Sequence, residues 1–333
     1  MTDNGKTWAL VLAGGEGSRL RALTTQPGER PVPKQFCSLN GGRTLLEDAI
    51  ARASTITSEA FIYSVVAEQH REWWAVPLAH LPPGNVIAQP RSRGTAVGIL
   101  YPLLHILARD PDARIVLLPS DHCVRQESVL RQSVQEALSQ LARNGGAPTL
   151  LGLQPTEADP DFGYILPGEL AADGGRTIRH FVEKPPAGLA SQIIARGGLW
   201  NTFIIAASGQ SLLNLFQVRY PQVVAALHGI VAVQGQTPQD STTLQCLFER
   251  LPQLDFSRDI LEVCCSALRL ACVPACGWSD LGTPQRVADA LRRLDPSQLE
   301  RDTVSSPSAP INLALRYAHL ERAGKFAGLV AGA

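Results

Sequence analysis

Short apolar runs alternate with longer amphipathic stretches through the first half of the chain. Ala9 to Ala13, Ala60 to Val66, Val86 to Ala88, Arg114 to Leu118 and Thr149 to Leu153 are too short for helices. Glycine, proline or polar residues bound them, which predicts buried strands of a parallel sheet. Thr44-Leu45-Leu46-Glu47 is a capping box that opens a helix to about Ala53. His70 to His80 predicts an amphipathic helix carrying Trp73 and Trp74, and another helix ends near Arg109. Glu127 to Arg143 places leucine and valine at three- and four-residue spacing, again a helix. This β-α-β-α order predicts an α/β fold, a Rossmann-like, mostly parallel sheet flanked by helices.

After Pro155 the texture changes. Phe162 to Pro167, Thr177 to Val182, Leu199 to Ala207 and Leu268 to Val273 predict strands, with Asp173-Gly174-Gly175 as a turn. Helices are expected over Ala187 to Ala195, Gln210 to Phe216, Gln222 to Leu227 and Thr283 to Arg293. The second half is thus expected to add a mixed-sheet layer. Ser305 to Pro310 is polar and contains proline, so it predicts a linker, and Ile311 to Phe326 a last helix. The expected division is one domain over 1–295, with halves at about 1–155 and 156–295. A linker and a short helical C-terminal tail then cover 296–333. No internal repeat is present.

Composition narrows the function classes. With 333 residues, 45% hydrophobic, the chain can bury a large core. Its formal net charge is +0, so no basic footprint points to nucleic acid or to an acidic membrane surface. The start, Met1-Thr2-Asp3-Asn4-Gly5-Lys6, lacks a signal-peptide core. No apolar run approaches the roughly 18 residues of a span; Val223 to Val233 comes nearest and contains His228. A cytoplasmic location is expected. Of seven cysteines, Cys264, Cys265, Cys272 and Cys276 cluster, but no C-x-x-C pair is present. Buried thiols that pack as small hydrophobes are the better reading.

Three predicted strands end in marked segments: Gly14-Gly15-Glu16-Gly17-Ser18-Arg19, Gln89-Pro90-Arg91-Ser92-Arg93-Gly94-Thr95, and Pro119-Ser120-Asp121-His122. In open α/β sheets the carboxyl ends of strands share a ligand crevice. A glycine turn between strand and helix presents free N–H groups to an anion. Arg19 adds a fixed cation and Lys34 a mobile one, so the residues read as a phosphate cradle. Alone, such a turn is also a common structural device. The dinucleotide fingerprint fails at Leu20, where its third glycine belongs, which argues against an oxidoreductase. The Walker pattern is absent as well.

Gly-Gly-x-Gly-x-Arg-Leu followed by Pro33-Lys34 resembles the sugar-1-phosphate nucleotidylyltransferases. Further segments match in the family's order: Arg93 to Ala96, Leu118 to His122, Phe162 to Ile165, Phe181 to Pro185, Trp200-Asn201 and Gly277 to Gly282. The set spans about the first 290 residues and is most similar to the mannose-1-phosphate guanylyltransferases. The resemblance implies attack of a sugar 1-phosphate on the α-phosphorus of a nucleoside triphosphate, with Mg2+ as cofactor and pyrophosphate leaving. It assigns Arg19 and Lys34 to the triphosphate. Leu12, Ala13, Gly14, Gly15, Gly17, Gln89, Arg93, Gly94 and Thr95 go to the nucleotide. Gly163, Tyr164, Glu183, Lys184 and Asn201 go to the sugar phosphate, and Asp121 and Asp280 to the metal. The implied partners are those two substrates, with no nucleic acid or membrane; a homo-oligomer through the segment from Ile311 is open.

Departures fall on the sugar side. The family continues Trp-Asn with Ser-Gly, whereas Thr202-Phe203 stand here. Ser257 stands where it tends to carry an acidic residue, with Asp255 and Asp259 as candidate replacements, and Gly94 where many members carry Asn. A transferase for another sugar or base, or a weakly catalytic nucleotide-sugar-binding regulator, are therefore the alternatives.

Overall fold

The computed structural model describes residues 6–25, 28, 30–234, 241–293 and 310–322. Strand β1 (Thr7–Ala13) runs into the glycine turn, a single 3-10 turn (Ser18–Leu20) and the four-residue α1 (Arg21–Thr24). Helix α2 (Leu45–Ser54) starts at the expected capping box: Thr44 Oγ1 accepts from Glu47 N, and Glu47 accepts from Thr44 N. Next come β2 (Ile62–Ala67), α3 (Arg71–Trp74), β3 (Val86–Gln89), α4 (Gly94–Arg109), β4 (Arg114–Pro119), α5 (Glu127–Gln140) and β5 (Thr149–Leu153). The second half supplies β6 (Gly163–Leu170), β7 (Arg176–Glu183), α6 (Ala187–Ala195), β8 (Leu199–Ser208), α7 (Gly209–Arg219) and α8 (Pro221–Gln234). It closes with α9 (Ser241–Arg250), β9 (Arg269–Val273), α10 (Pro284–Arg292) and α11 (Leu313–Arg322).

The nine strands among the described residues form one sheet, ordered β3-β2-β1-β4-β8-β5-β9-β7-β6. Only part of it matches the mostly parallel expectation. β3, β2, β1 and β4 are parallel, as are β5 and β9. β8 runs antiparallel to both β4 and β5, and the β6–β7 hairpin pairs antiparallel with β8 and β9. A strand buried on both faces reads as the same apolar run in either direction, so the sequence did not reveal this. The sheet also joins the two expected halves, because β8 is inserted between β4 and β5.

Alternate residues of β1 feed opposite faces. Trp8 and Leu10 join a core with α4, α7 and α8. Ala9, Val11 and Ala13 join another with α2 and α5. The predicted helix over His70 to His80 shrinks to α3, followed by turns, with Trp74 buried and its Nε1 donating to Ala67 O. Helix α9 was not anticipated. The C-terminal helix is shorter than expected within the described residues and is no loose tail. Leu313 packs with Leu20, Leu23, Leu45 and Leu281, and Ser38 pairs with Asn312. Most of the predicted linker lies outside the described residues. All seven cysteines are free; Cys276 is buried, but Cys272 is exposed and Cys264 and Cys265 are partly buried. Burial pushes the Cys37 thiol up to about 12. Among the described residues, no helix is long and apolar enough to cross a membrane.

Candidate active site

A cleft of about 370 Å³ opens where β1 and β4 end and where the β6–β7 hairpin meets β8. Its first wall is the glycine turn. Gly17 has φ +59°, and a Cβ there would stand 2.6 Å from Lys34 N, so only glycine fits. Buried Gln35 holds the turn, its Nε2 donating to Ala13 O (3.1 Å) and Gly15 O (2.8 Å). The cradle is therefore the turn itself and not the N-terminus of a long helix.

Two carboxylates from distant segments meet on the floor. Ser120 donates from Oγ to Leu12 O at 2.6 Å, tying the end of β4 to that of β1. Cys123 and Ser279 form an isolated antiparallel bridge, with both N–H···O bonds at 2.9 Å. Asp121 lies two residues before one side of that bridge and Asp280 one residue after the other. Lys34 links the two segments: Nζ is 3.0 Å from Asp121 Oδ2 and donates to the main-chain carbonyls of Asp280 and Leu281. Its side chain is only 5% exposed, so the expected mobile cation is a buried strut. Withdrawal from water raises the Asp121 carboxyl, but the Lys34 and Arg19 cations outweigh it and hold it below its usual value.

Asp280 is also crowded by cations. Arg286 Nη1 lies 3.1 Å from Oδ1, and Arg19 Nη2 lies 3.6 Å from Oδ2. Arg286 further pairs with Asp159 (3.4 Å) and Asp161 (3.0 Å), and its guanidinium sits 4.3 Å over the Phe162 ring. Arg19 reaches Asp161 at 3.4 Å. Asp161 and Arg286 escaped sequence reading because neither follows a strand or a glycine turn. His122 accepts from Trp278 Nε1 at Nδ1 (3.2 Å), which leaves Nε2 as the protonated nitrogen, 3.6 Å from Asp121 Oδ1. Burial lowers this imidazole to about 4, so it stays neutral.

At one end of the cleft Gln89 is 3% exposed, and its Nε2 has no hydrogen-bond partner among the described residues. Leu12, Gly14, Gly15, Gly94 and Thr95 line the same space. Arg93 does not reach it; its guanidinium donates to the carbonyls of Phe248 and Glu249 and anchors α9. Gly94 has φ +83° and its Cβ position falls 2.1 Å from Leu254 O, so it permits a close backbone crossing.

At the other end Gly163 and Glu183 are register partners. A Cβ on Gly163 would lie 2.6 Å from Glu183 Oε2. Burial and Asp255 raise the Glu183 carboxyl to about 6, against the lowering effects of Lys184, Ser257 and Arg258. Asn201 accepts from Phe203 N through Oδ1 (3.1 Å), which turns its NH2 outward. Tyr164 is fully buried, its hydroxyl bonded at Asp159, and it does not line the cleft; Ala13 is likewise buried and absent from the lining. Of the two candidate acidic replacements, Asp255 lines the cleft, while Asp259 accepts from Asp255 N. Three residues other than glycine are left-handed among the described residues: Lys184 (φ 52°), Phe203 (φ 60°) and Leu281 (φ 49°). All three flank the cleft, where backbone strain characteristically collects.

Residues 8–296 match the family model described as nucleotidyl transferase. The chain is 29% identical over 299 residues to mannose-1-phosphate guanylyltransferase 2 of Escherichia coli O157:H7, covering 84% of this chain and 59% of that protein. It is also 29% identical over 287 residues to a mannose-1-phosphate guanylyltransferase of Sinorhizobium fredii, covering 82% and 52%. It thus spans a little over half the length of these curated relatives. A solved structure named mannose-1-phosphate geranyltransferase, from Thermus thermophilus, superposes with a TM-score of 0.69 at 25% identity, covering 87% of this chain and 80% of that one.

Proposed function

Because the chain belongs to the nucleotidyl transferase family, we propose that it transfers a nucleotidyl group from a nucleoside triphosphate, GTP, to a sugar 1-phosphate, mannose 1-phosphate. A phosphate oxygen of the sugar attacks the α-phosphorus. The new P–O bond forms as the α–β bridging P–O bond breaks, and the electron pair leaves with pyrophosphate. No side-chain nucleophile is needed, so catalysis is positioning plus charge neutralisation.

The observation that carries the reading is the single cleft shared by the glycine turn, Arg19, Asp121, Asp280, Glu183, Lys184 and Asn201. The turn's N–H groups would hold the phosphates. Arg19, half-exposed and paired at 3.4 and 3.6 Å, is free to move from Asp161 and Asp280 onto them. The unpartnered Gln89 amide suits an acceptor on the nucleotide. Glu183 would accept sugar hydroxyls, Asn201 would donate to one, and Lys184 would meet the sugar phosphate.

The donor set fits Mg2+, which takes one or two carboxylates and completes its shell with water and phosphate oxygens. Asp121 and Asp280 would hold it, and Asp121 remains 36% exposed to the cleft. When bound, the ion would neutralise charge on the phosphates. Lys34 ties the Asp121 carboxylate to the main chain at Asp280 and Leu281.

Pyrophosphate release with magnesium tests this, crossing GTP, ATP, CTP, UTP and dTTP with hexose 1-phosphates, with Asp121→Ala as control. Release from GTP and mannose 1-phosphate, lost in the control, is expected. Release from another pair would keep the chemistry and change the substrates. Nucleotide-sugar binding without release would replace the transferase reading with a regulatory one.

A further inference from the structure

Lys184 and Leu281 are left-handed next to Glu183 and Asp280. Phe203, like Lys184, lines the cleft itself, but the side chain it brings there is a bulky aromatic ring. A bulky side chain at φ 60° presses Cβ against the following carbonyl, and such a residue persists only where its surroundings over-determine it.

The surroundings here are a β-bulge. Between the pairs Leu150↔Ile205 and Gly152↔Asn201, β5 advances two residues while β8 covers four. The freed polar groups are satisfied locally. Thr202 Oγ1 donates to Leu151 O at 2.6 Å and accepts from Ile204 N at 3.2 Å, while Phe203 N donates to Asn201 Oδ1. Bulges are common next to active sites, where they re-aim a side chain. The ring is then fixed from behind. It stands edge-on to Phe256, centroids 6.0 Å apart at 70°, and Phe256 stacks on Phe216 at 5.6 Å. Phe256 and Phe216 are fully buried. A half-buried aromatic wall, anchored to the core, thus stands among the polar side chains of Glu183, Asn201, Asp255 and Ser257.

Sugars present an apolar C–H face as well as hydroxyls, and sites that take them combine an aromatic surface with a few convergent polar groups. We propose that Phe203 is a specificity-determining wall of the sugar site, offering a flat apolar face to the pyranose and excluding hexose 1-phosphates that carry an N-acyl branch. The proposal rests on the reading that the Glu183 end takes a sugar 1-phosphate.

The test compares wild type with Phe203→Ala and Phe203→Gly, using mannose 1-phosphate and N-acetylglucosamine 1-phosphate. Two readouts run together: pyrophosphate release with magnesium and GTP, and calorimetric binding with magnesium and a GTP analogue that cannot release pyrophosphate. The ratio of mannose to N-acetylglucosamine preference is expected to fall about ten-fold in both variants, the scale of one pocket contact. A change under about three-fold overturns the proposal. So does loss of nucleotide binding in parallel with sugar binding, which would make Phe203 a residue of the fold. A wild type that binds neither sugar also overturns it. A wild type that binds sugar but releases no pyrophosphate sinks the transferase reading instead, and the binding ratios still decide the role of Phe203. Thermal melting checks the strain: Phe203→Gly is expected to melt roughly 1–2 °C above Phe203→Ala, since glycine adopts φ 60° freely. Equal or reversed melting would remove the premise.

Discussion

The two ends of the cleft hold their charges in opposite ways. At the phosphate end, the carboxylates of Asp121 and Asp280 are paired with Lys34, Arg19 and Arg286 at 3.0 to 3.6 Å. Lys34 and Arg19 overcome desolvation at Asp121, whose carboxyl lies below its usual value. At the sugar end, Glu183 sits beside Asp255, burial dominates, and its carboxyl rises to about 6. The lesson is that burial alone does not set the charge state of a cleft. The Asp121 carboxyl is kept ionised by an internal cation framework, as the proposed site for polyanions and metal requires. The proposed sugar end has a carboxyl raised to about 6, as hydrogen bonding to hydroxyls allows.

The comparison breaks most visibly at the phosphate end. Asp121→Asn is expected to lower kcat/KM for pyrophosphate release by about 10³-fold, roughly 4 kcal/mol of transition-state stabilisation. If the variant keeps more than a tenth of the rate, Asp121 does not hold the metal.

Lys34→Ala removes a buried strut and leaves the Asp121 carboxylate without its 3.0 Å ion pair. A stability loss of about 3 kcal/mol is expected in urea titration, the low end for a broken buried pair because Asp121 opens to the cleft. Lys184→Ala, on an exposed residue, is expected to stay within about 0.5 kcal/mol while raising KM for the sugar phosphate. Equal stability losses would erase the distinction between a framework cation and a ligand cation.

Glu183 sharpens the comparison through pH. Its folded-state pKa lies above the unfolded value of 4.5, so the native state binds more protons between pH 4.5 and about 6. Stability from this group is therefore complete below pH 4.5 and lost as pH rises through about 6, by about 1–2 kcal/mol. Glu183→Gln is expected to flatten that part of the stability curve; an unchanged slope would mean that the carboxyl is not raised. Affinity for the sugar 1-phosphate should rise over the same interval as the carboxylate forms.

The smallest effect is expected from Arg93→Ala. Its guanidinium anchors α9 through the Phe248 and Glu249 carbonyls, so stability should fall by about 1 kcal/mol while KM for the nucleotide stays within about two-fold of wild type. A large change in nucleotide KM would return Arg93 to the binding site.

Much of this was legible in the residues. Local rules read local facts: the capping box at Thr44, the strand runs, the glycine turn, and the strand-end positions of Asp121 and Glu183 depend on near neighbours in the chain. Strand direction was not legible, because β8 buries both faces and its apolar run carries no polarity. Nor was the burial of Lys34, since nothing near it in sequence announces Asp121, or Asp280 nearly 250 residues away. Arg286, Asp161 and Trp278 were missed for the same reason: each gains its meaning from a partner on another element. The sequence by itself determined the chemistry available and its order along the chain. Only the tertiary structure decided which charges face one another, because pairing energies fall off within a few ångströms and only folding brings those segments that close.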